Sequence, residues 1–391
     1  MDILSSGLLT IFSFVFLISL VVVIHELGHY WAGRLCGVHV EAFSLGFGPT
    51  LFSWRDKIGT VWRIAAFPLG GYVKFLGDAG AASEPDEAKL SELRDKMGGD
   101  AAKCYHFKPI WQRAFITAAG PIANFILAIT IFAALAWTIG GPVYQQPIVG
   151  SVVEDTAAHE AGFETGDIIV SINGKEIDTF QDIITEVVWR PGQTLVFDVE
   201  RNSEMIVLNA APRETVVEDR FGGERVLGQL GLNSGGEPQR DQYNPVSALG
   251  YGIDRTWSTV SMTARYVSYI VTGRASPALL NGPIGIATAA GQVASSSVEA
   301  GESVGESTFL LFLNLINLAA FLSVGLGLVN FLPIPILDGG HLMYYAYEAV
   351  ARRPLSMKAQ TIGFQVGLAL VLGMMLVATW NDINYKLGQI F

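Results

Sequence analysis

The 391-residue chain is 50% hydrophobic and only 16% charged, with a mean hydropathy of +0.39, a balance that argues against an ordinary soluble domain and for several bilayer spans. A formal net charge of −11 and a pI near 5.0 provide no concentrated Lys/Arg surface for phosphate, so nucleic acid is not expected as a partner. Cys36 and Cys104 are the only cysteines, and both fall in a stretch assigned below to the cytoplasm, where thiols stay reduced, so no disulfide framework is implied.

Four uncharged apolar stretches, 8–24, 114–139, 309–332 and 362–380, each approach the ~20 residues that cross a hydrocarbon core, and each predicts a transmembrane helix. A cleavable leader needs a basic start and a small-residue cleavage site; residues 1–6 carry only Asp2, so the first stretch is expected to be retained. Arg352, Arg353 and Lys358 crowd the connection between the last two stretches, while the N-terminal flank has no Lys or Arg. By the positive-inside rule both termini face outward, and so does the long stretch 141–307.

Between the first two spans, residues 38–76 alternate apolar and polar around Gly46, Gly48, Pro49, Gly59, Gly70 and Gly71, which predicts short strands joined by tight turns in a small sheet beside the membrane. Such backbone dips into a bilayer only where protein or water satisfies its polar groups, and an ordinary cytoplasmic hairpin fits the pattern as well. The mixed Ala, Glu, Asp, Lys and Gly of 78–103 read as an exposed linker. From 146 to 213, short β-branched runs separated by turn residues predict a separate outer domain. Its Ala161-Gly162-Phe163, Gly166-Asp167-Ile168-Ile169 and Asn173-Gly174 resemble PDZ domains of the circularly permuted bacterial form, implying either strand addition of a peptide near 148–150 or a steric filter. Residues 244–272 show helical apolar spacing with Trp257, Tyr266 and Tyr269, as suits an outer membrane surface.

The first span ends in His25-Glu26-Leu27-Gly28-His29, so on a helix the two imidazoles stand about 6 Å apart along one face and both reach one metal ion. Zinc suits such ligands, and Glu26 is placed to take a proton from a water whose pKa zinc lowers to about 7. A carboxylate at membrane depth costs about 2.5–3.5 kcal/mol on insertion scales, which calls for a functional reason. A catalytic zinc takes three protein ligands, and the candidate third is Asp338, the carboxylate directly after an uncharged span in the run from Asn330 to His341. Pro333 and Pro335 break the helix there, and a substrate helix must unwind before hydrolysis; this break and the Gly70-Gly71 sheet are placed to hold it extended, with Asn330 orienting the scissile carbonyl. Taken alone, Asp338 reads equally as a helix N-cap and His341 as a solvated loop residue.

Together, HELGH at 25–29, FGP at 47–49, PLGGYVK at 68–74, AGPIANF at 119–125, the PDZ-like region, NGPIGIA at 281–287 and NFLPIPILDGGH at 330–341 resemble the site-2 protease family of intramembrane metalloproteases, of the regulator of sigma-E protease type. The resemblance covers nearly the whole chain. It implies zinc on His25, His29 and Asp338, Glu26 as general base, substrate contacts from Asn330, Pro333 and Pro335, and a strand-forming clamp at Gly70, Gly71, Tyr72 and Val73. It further implies a bacterial inner-membrane protein with its active site toward the cytoplasm, making a second cut in single-span substrates such as anti-sigma factors and clearing remnant signal peptides. The best-known relatives carry two PDZ domains, whereas one is legible here.

The expected fold class is integral membrane and mainly α: four transmembrane helices, a membrane-associated β-sheet and one extracytoplasmic PDZ-like α+β domain. The expected organisation is a first span with HELGH at 1–35, a cytoplasmic-side sheet and linker at 36–111, a second span at 112–141 and the PDZ-like domain at 142–214. A membrane-surface region at 215–304, a third span with the proline break at 305–341, and a cytoplasmic loop with the fourth span at 342–391 complete it. The competing class is a zinc-binding membrane chaperone or scaffold without proteolytic activity, which has no need of Glu26; a zinc transporter predicts repeated halves that are not seen.

Overall fold

The computed structural model describes residues 3–80, 86–95, 101–142, 146–218, 224–235, 240–272 and 282–388. Parts of the expected 78–103 linker and of the expected 215–304 membrane-surface region, Asn281 among them, lie outside these residues. The chain divides into two compact units, Met1–Leu135 with Pro245–Asn384 and Ala136–Asn244 with Tyr385–Phe391.

The first unit opens with α1 (Ile3–Leu35), β1 (Val40–Arg55), β2 (Val61–Phe75), α2 (Glu87–Asp95) and α3 (Ile110–Ile139). The second holds β3 (Gly141–Pro142), β4 (Val149–Val152), α4 (Ala157–Ala161), β5 (Ile168–Ile172), β6 (Lys175–Glu176), α5 (Phe180–Val188), β7 (Leu195–Arg201), β8 (Glu204–Ala210), β9 (Arg213–Glu218), β10 (Glu224–Gln229), β11 (Leu232–Ser234) and β12 (Arg240–Asp241). The first then resumes with α6 (Pro245–Val271), α7 (Pro283–Ala300), α8 (Val304–Asn330), α9 (Asp338–Ala351) and α10 (Met357–Gly388).

Among the described residues four helices are long and apolar enough to cross a membrane: Ser6–Leu35, Ile110–Ile139, Val304–Asn330 and Lys358–Ile383. Each contains or nearly contains one of the apolar stretches of the sequence. The third was expected to reach Leu332, but α8 ends at Asn330 with Phe331 as its cap, because Pro333 lacks the N–H to continue the ladder and disfavours helical backbone before it. Contacts run antiparallel between α1 and α3, where His29 meets Ile116 and His25 meets Asn124, and between α3 and α8, where Asn124 meets Ser323 and Phe132 meets Phe321. The alternation places the C-terminal end of α1, the start of α3 and the end of α8 at one level. Leu17, Val21, Ala128, Phe132, Ala290, Leu315, Ala319 and Val324 form the core between them.

Residues 283–300, expected only as part of a membrane-surface region, form α7, which buries Gly285, Ala290, Gly291, Ala294 and Ser297. Its small residues let it pack on α1, with Gly291 against Thr10, and on α8, where the Asn314 amide donates to Ser297 Oγ at 2.9 Å. Gly282 caps α7 without a side chain of its own, and the missing acceptor comes from α10: Asp382 accepts the Gly285 N–H at 2.9 Å.

The predicted short strands are two long strands that fold back on themselves. Residues 40–45 pair with 71–75 on one side and 61–64 on the other, and residues 50–55 pair with 61–65, giving four strand segments from one hairpin. The bend in β1 falls at Gly46 and Gly48, whose φ values of 86° and 87° suit glycine. Segment 71–75 is a sheet edge that runs beside α1, so close that a Cβ on Gly71 would stand 3.1 Å from Glu26 Cγ. Past the bend, Phe47, Leu51, Phe52, Trp54 and Phe67 are exposed apolar residues.

In the second unit a four-stranded sheet of order β6-β5-β7-β8 packs with α4 and α5 around Val149, Phe163, Ile169, Ile172, Leu195, Phe197 and Val199, an α+β fold where the sequence predicted a PDZ-like domain. The fold runs past the boundary expected at 214, since β11 pairs with β4 and Leu230 joins the core. Residues 148–150 are consequently no free edge for a peptide. The Val149 N–H donates to Asp167 O at 2.8 Å, while the Gly235 N–H donates to Ile148 O at 3.0 Å on the other side.

Candidate metal centre

Helical spacing brings the two imidazoles of α1 together, with His25 Nε2 3.2 Å from His29 Nε2 and the ring planes at 84°. The other nitrogen of each ring faces α3. His29 Nδ1 donates to the Ile116 carbonyl at 2.9 Å, leaving its Nε2 lone pair free, and His25 Nδ1 lies 3.2 Å from Asn124 Nδ2. Helix α3 approaches this closely because position 120 is glycine; a Cβ there would stand 2.3 Å from His29 Nε2 and 2.9 Å from His25 Cε1.

The third group arrives through the proline break. After α8 ends, residues 331–337 turn back through hydrogen bonds from the Ile334 N–H to Leu332 O and from the Leu337 N–H to Ile334 O, and α9 begins at Asp338. The two glycines of the Asp-Gly-Gly run allow this turn to lie on the helix start: a Cβ on Gly339 would meet Leu332 O at 2.3 Å, and one on Gly340 would meet Ile334 O at the same distance. Leu337, not Asp338, occupies the N-cap, so Asp338 does not serve as the cap of α9. Its Oδ2 is buried without a hydrogen-bond partner, 3.2 Å from His25 Nε2 and 3.4 Å from His29 Nε2.

These donors pass a test of fit to zinc. Ligand bonds of about 2.0–2.1 Å in a tetrahedron separate neighbouring donor atoms by roughly 3.3–3.4 Å. The three observed separations, 3.2, 3.2 and 3.4 Å, are close to that edge. Two imidazoles and a carboxylate are a zinc donor set, and His25, His29 and Asp338 are the metal-capable cluster among the described residues.

A cavity of about 190 Å³ opens beside the three donors, lined among others by Glu26, Gly71, Tyr72, Val73, Asn330 and His341. Of the residues singled out in the sequence, Gly70, Pro333 and Pro335 do not line it. Gly70 stands against Phe47, and Pro335 packs toward Gly363 and Gly367 of α10, so the second proline braces the break from behind. His341 lines the cavity one turn along α9 from Asp338 and is no solvated loop residue. Tyr105 and Thr117 of the cavity wall join Tyr345 in one hydrogen-bonded chain of hydroxyls, and Arg113 bridges α3 to Glu348 of α9 at 2.8 Å. The buried Asp78 accepts the Phe75 N–H and pairs with His106 at 2.9 Å; burial pushes its carboxyl up from the ordinary range, and His106 opposes that shift.

Ile116, Gly120, Asn124 and Gly339 were not assigned from sequence. The AGPIANF and LDGGH runs mark where they lie, but nothing in a sequence says that one backbone carbonyl or one missing Cβ faces an imidazole ninety residues away.

Residues 13–374 match Peptidase family M50. Metalloprotease MmpA of Caulobacter vibrioides is 44% identical over 382 residues, 96% of this chain and 96% of that protein. Relatives in Agrobacterium fabrum and Rhizobium meliloti, whose names both carry the words zinc metalloprotease, are each 41% identical, over 98% and 97% of both chains respectively. The solved PDZ domain of an SdrC-like protein from Listeria monocytogenes aligns with 22% of this chain and 90% of its own at 20% identity, with a TM-score of 0.18.

Proposed function

The chain belongs to peptidase family M50, and from that premise we propose that it cuts single-span membrane proteins within or at the edge of the bilayer. It is a membrane-embedded zinc metalloprotease. The observation that carries the reading is the convergence of His25 Nε2, His29 Nε2 and Asp338 Oδ2 at zinc-ligand spacing beside Glu26, on helices apolar enough to span.

His25, His29 and Asp338 hold the metal, which when bound supplies the Lewis acidity that makes a water nucleophilic and polarises the scissile carbonyl. Glu26, on the same helix and lining the same cavity, takes the proton of the attacking water and passes it to the departing amine. The edge formed by Gly71, Tyr72 and Val73 pairs with the substrate as an added strand, which holds it extended while the bond is cut. Asn330, at the end of α8 and in the cavity wall, orients the scissile carbonyl.

The basic residues Arg352 and Arg353 lie in the connection from α9 to α10 and Lys358 in the first turn of α10. The side they mark faces the cytoplasm of a bacterial inner membrane, and both termini and the PDZ-like unit face outside. Substrates are single-span proteins already trimmed outside, such as an anti-sigma factor, and remnant signal peptides. The second unit acts as a steric filter on untrimmed chains; its residues 148–150 are hydrogen-bonded on both sides, which favours exclusion over peptide capture there.

The test replaces Glu26 by Gln in the full chain. We expect zinc content unchanged and cleavage of a single-span substrate reduced by about 10²-fold or more. Undiminished cleavage by E26Q removes Glu26 from the mechanism.

A further inference from the structure

The hydrolytic scheme gives no task to one polar side chain in contact with His25. Asn124, on α3, has no exposed surface. Its Nδ2 stands 3.2 Å from His25 Nδ1, and its Oδ1 is buried with no hydrogen-bond partner. An amide in a membrane span with an unmet acceptor is costly unless a function requires it, and the group beside it is a ligand candidate whose tautomer decides whether the metal binds.

A neutral imidazole carries one N–H. His25 turns Nε2 toward His29 and Asp338, 3.2 Å from each, so metal binding requires the lone pair at Nε2 and the proton at Nδ1. That Nδ1–H needs an acceptor. The two ends of a carboxamide have nearly the same shape, so a half-turn of the Asn124 amide brings Oδ1 to the place of Nδ2 with no other atom displaced. With a proton on Nε2, Asn124 donates to Nδ1; with Nε2 given to zinc, the turned amide accepts from Nδ1–H.

We propose that Asn124 is the positioning residue of His25: its Oδ1 accepts the Nδ1–H and fixes the ring in the tautomer that presents Nε2 to zinc. It does for His25 what the Ile116 carbonyl does for His29. Ser323 Oγ donates to the backbone carbonyl of Asn124 at 2.9 Å and so ties this part of α3 to α8. The inference rests on the zinc-centre reading above and adds the outer partner that orients one of its ligands.

The test uses full-length protein in detergent, with zinc affinity measured by competition against a chromophoric chelator. Asn124→Leu keeps the volume and removes the acceptor; Asn124→Asp keeps an acceptor at either oxygen. N124L is expected to lose about 10- to 100-fold in zinc affinity, while N124D stays closer to wild type than to N124L, and the visible spectrum of the cobalt-substituted protein shifts in N124L alone. Wild-type zinc affinity in N124L, or an equal loss in N124L and N124D, overturns the assignment. A wild-type protein that holds no zinc instead defeats the metal-centre reading itself, so the two failures are distinguishable.

Discussion

The second unit and the helical bundle expose opposite kinds of side chain. In the second unit Ile169, Ile172, Leu195, Phe197 and Val199 fill the centre, and charged pairs such as Arg213 with Glu160 lie on the outside. In the bundle Phe12, Leu376 and Trp380 are 65, 72 and 65% exposed, whereas Ser13, Asn124, Ser323 and Asp382 are buried. The first arrangement draws stability from removing apolar surface from water. The second cannot, because its outer faces are as apolar as the lipid around them, and its helices are held by close contact of small residues and by hydrogen bonds between buried polar groups. A polar residue inside the bundle is therefore a structural tie or a part of the chemistry, while on the second unit an exposed charged residue is ordinarily neither and the buried Asp167 and Glu186 are tied to Arg201 and to Lys175 and Arg190.

The comparison is broken most severely at Gly120. Gly120→Val places carbon atoms where His29 and His25 now lie, and we expect bound zinc and cleavage both to fall to background while the protein still elutes as a single folded species. Zinc at wild-type stoichiometry in G120V means that the close approach of α3 does not shape the site. Phe197→Ala attacks the other region: loss of a fully buried ring is expected to destabilise the second unit by about 3–5 kcal/mol, read by its denaturant midpoint. Zinc content should stay unchanged, and if the second unit filters substrates as proposed, cleavage of an untrimmed one should rise. Loss of zinc in F197A contradicts the separation of the two regions. A smaller effect is expected from Asp382→Ala, which leaves the buried Gly285 N–H without its acceptor and should cost about 1–3 kcal/mol in detergent thermal unfolding. An unchanged midpoint removes Asp382 from the ties that hold α7.

How legible each part was follows from the same contrast. Spans announce themselves by composition over some twenty residues, and His25 and His29 by a spacing of four, because both signals lie within one helix. Asp338 stood out as a lone carboxylate after an apolar run. Helix α7 carried no such signal, since Ala290, Gly291 and Ala294 meet their neighbours through small size and not through apolar periodicity. Gly282 and Asp382 are 100 residues apart, and no local pattern announces a cap supplied by another span. The short strands around Gly46 were legible as turns, but not that one segment, 40–45, pairs on both sides.

The most direct measurement is the zinc content of the purified full-length protein and of its His25→Ala and Asp338→Asn variants by elemental analysis. One zinc per chain in the wild type, and loss of most of it in each variant, is the expected result. Full zinc occupancy in either variant, or none in the wild type, contradicts a metal held jointly by the first span and the start of α9.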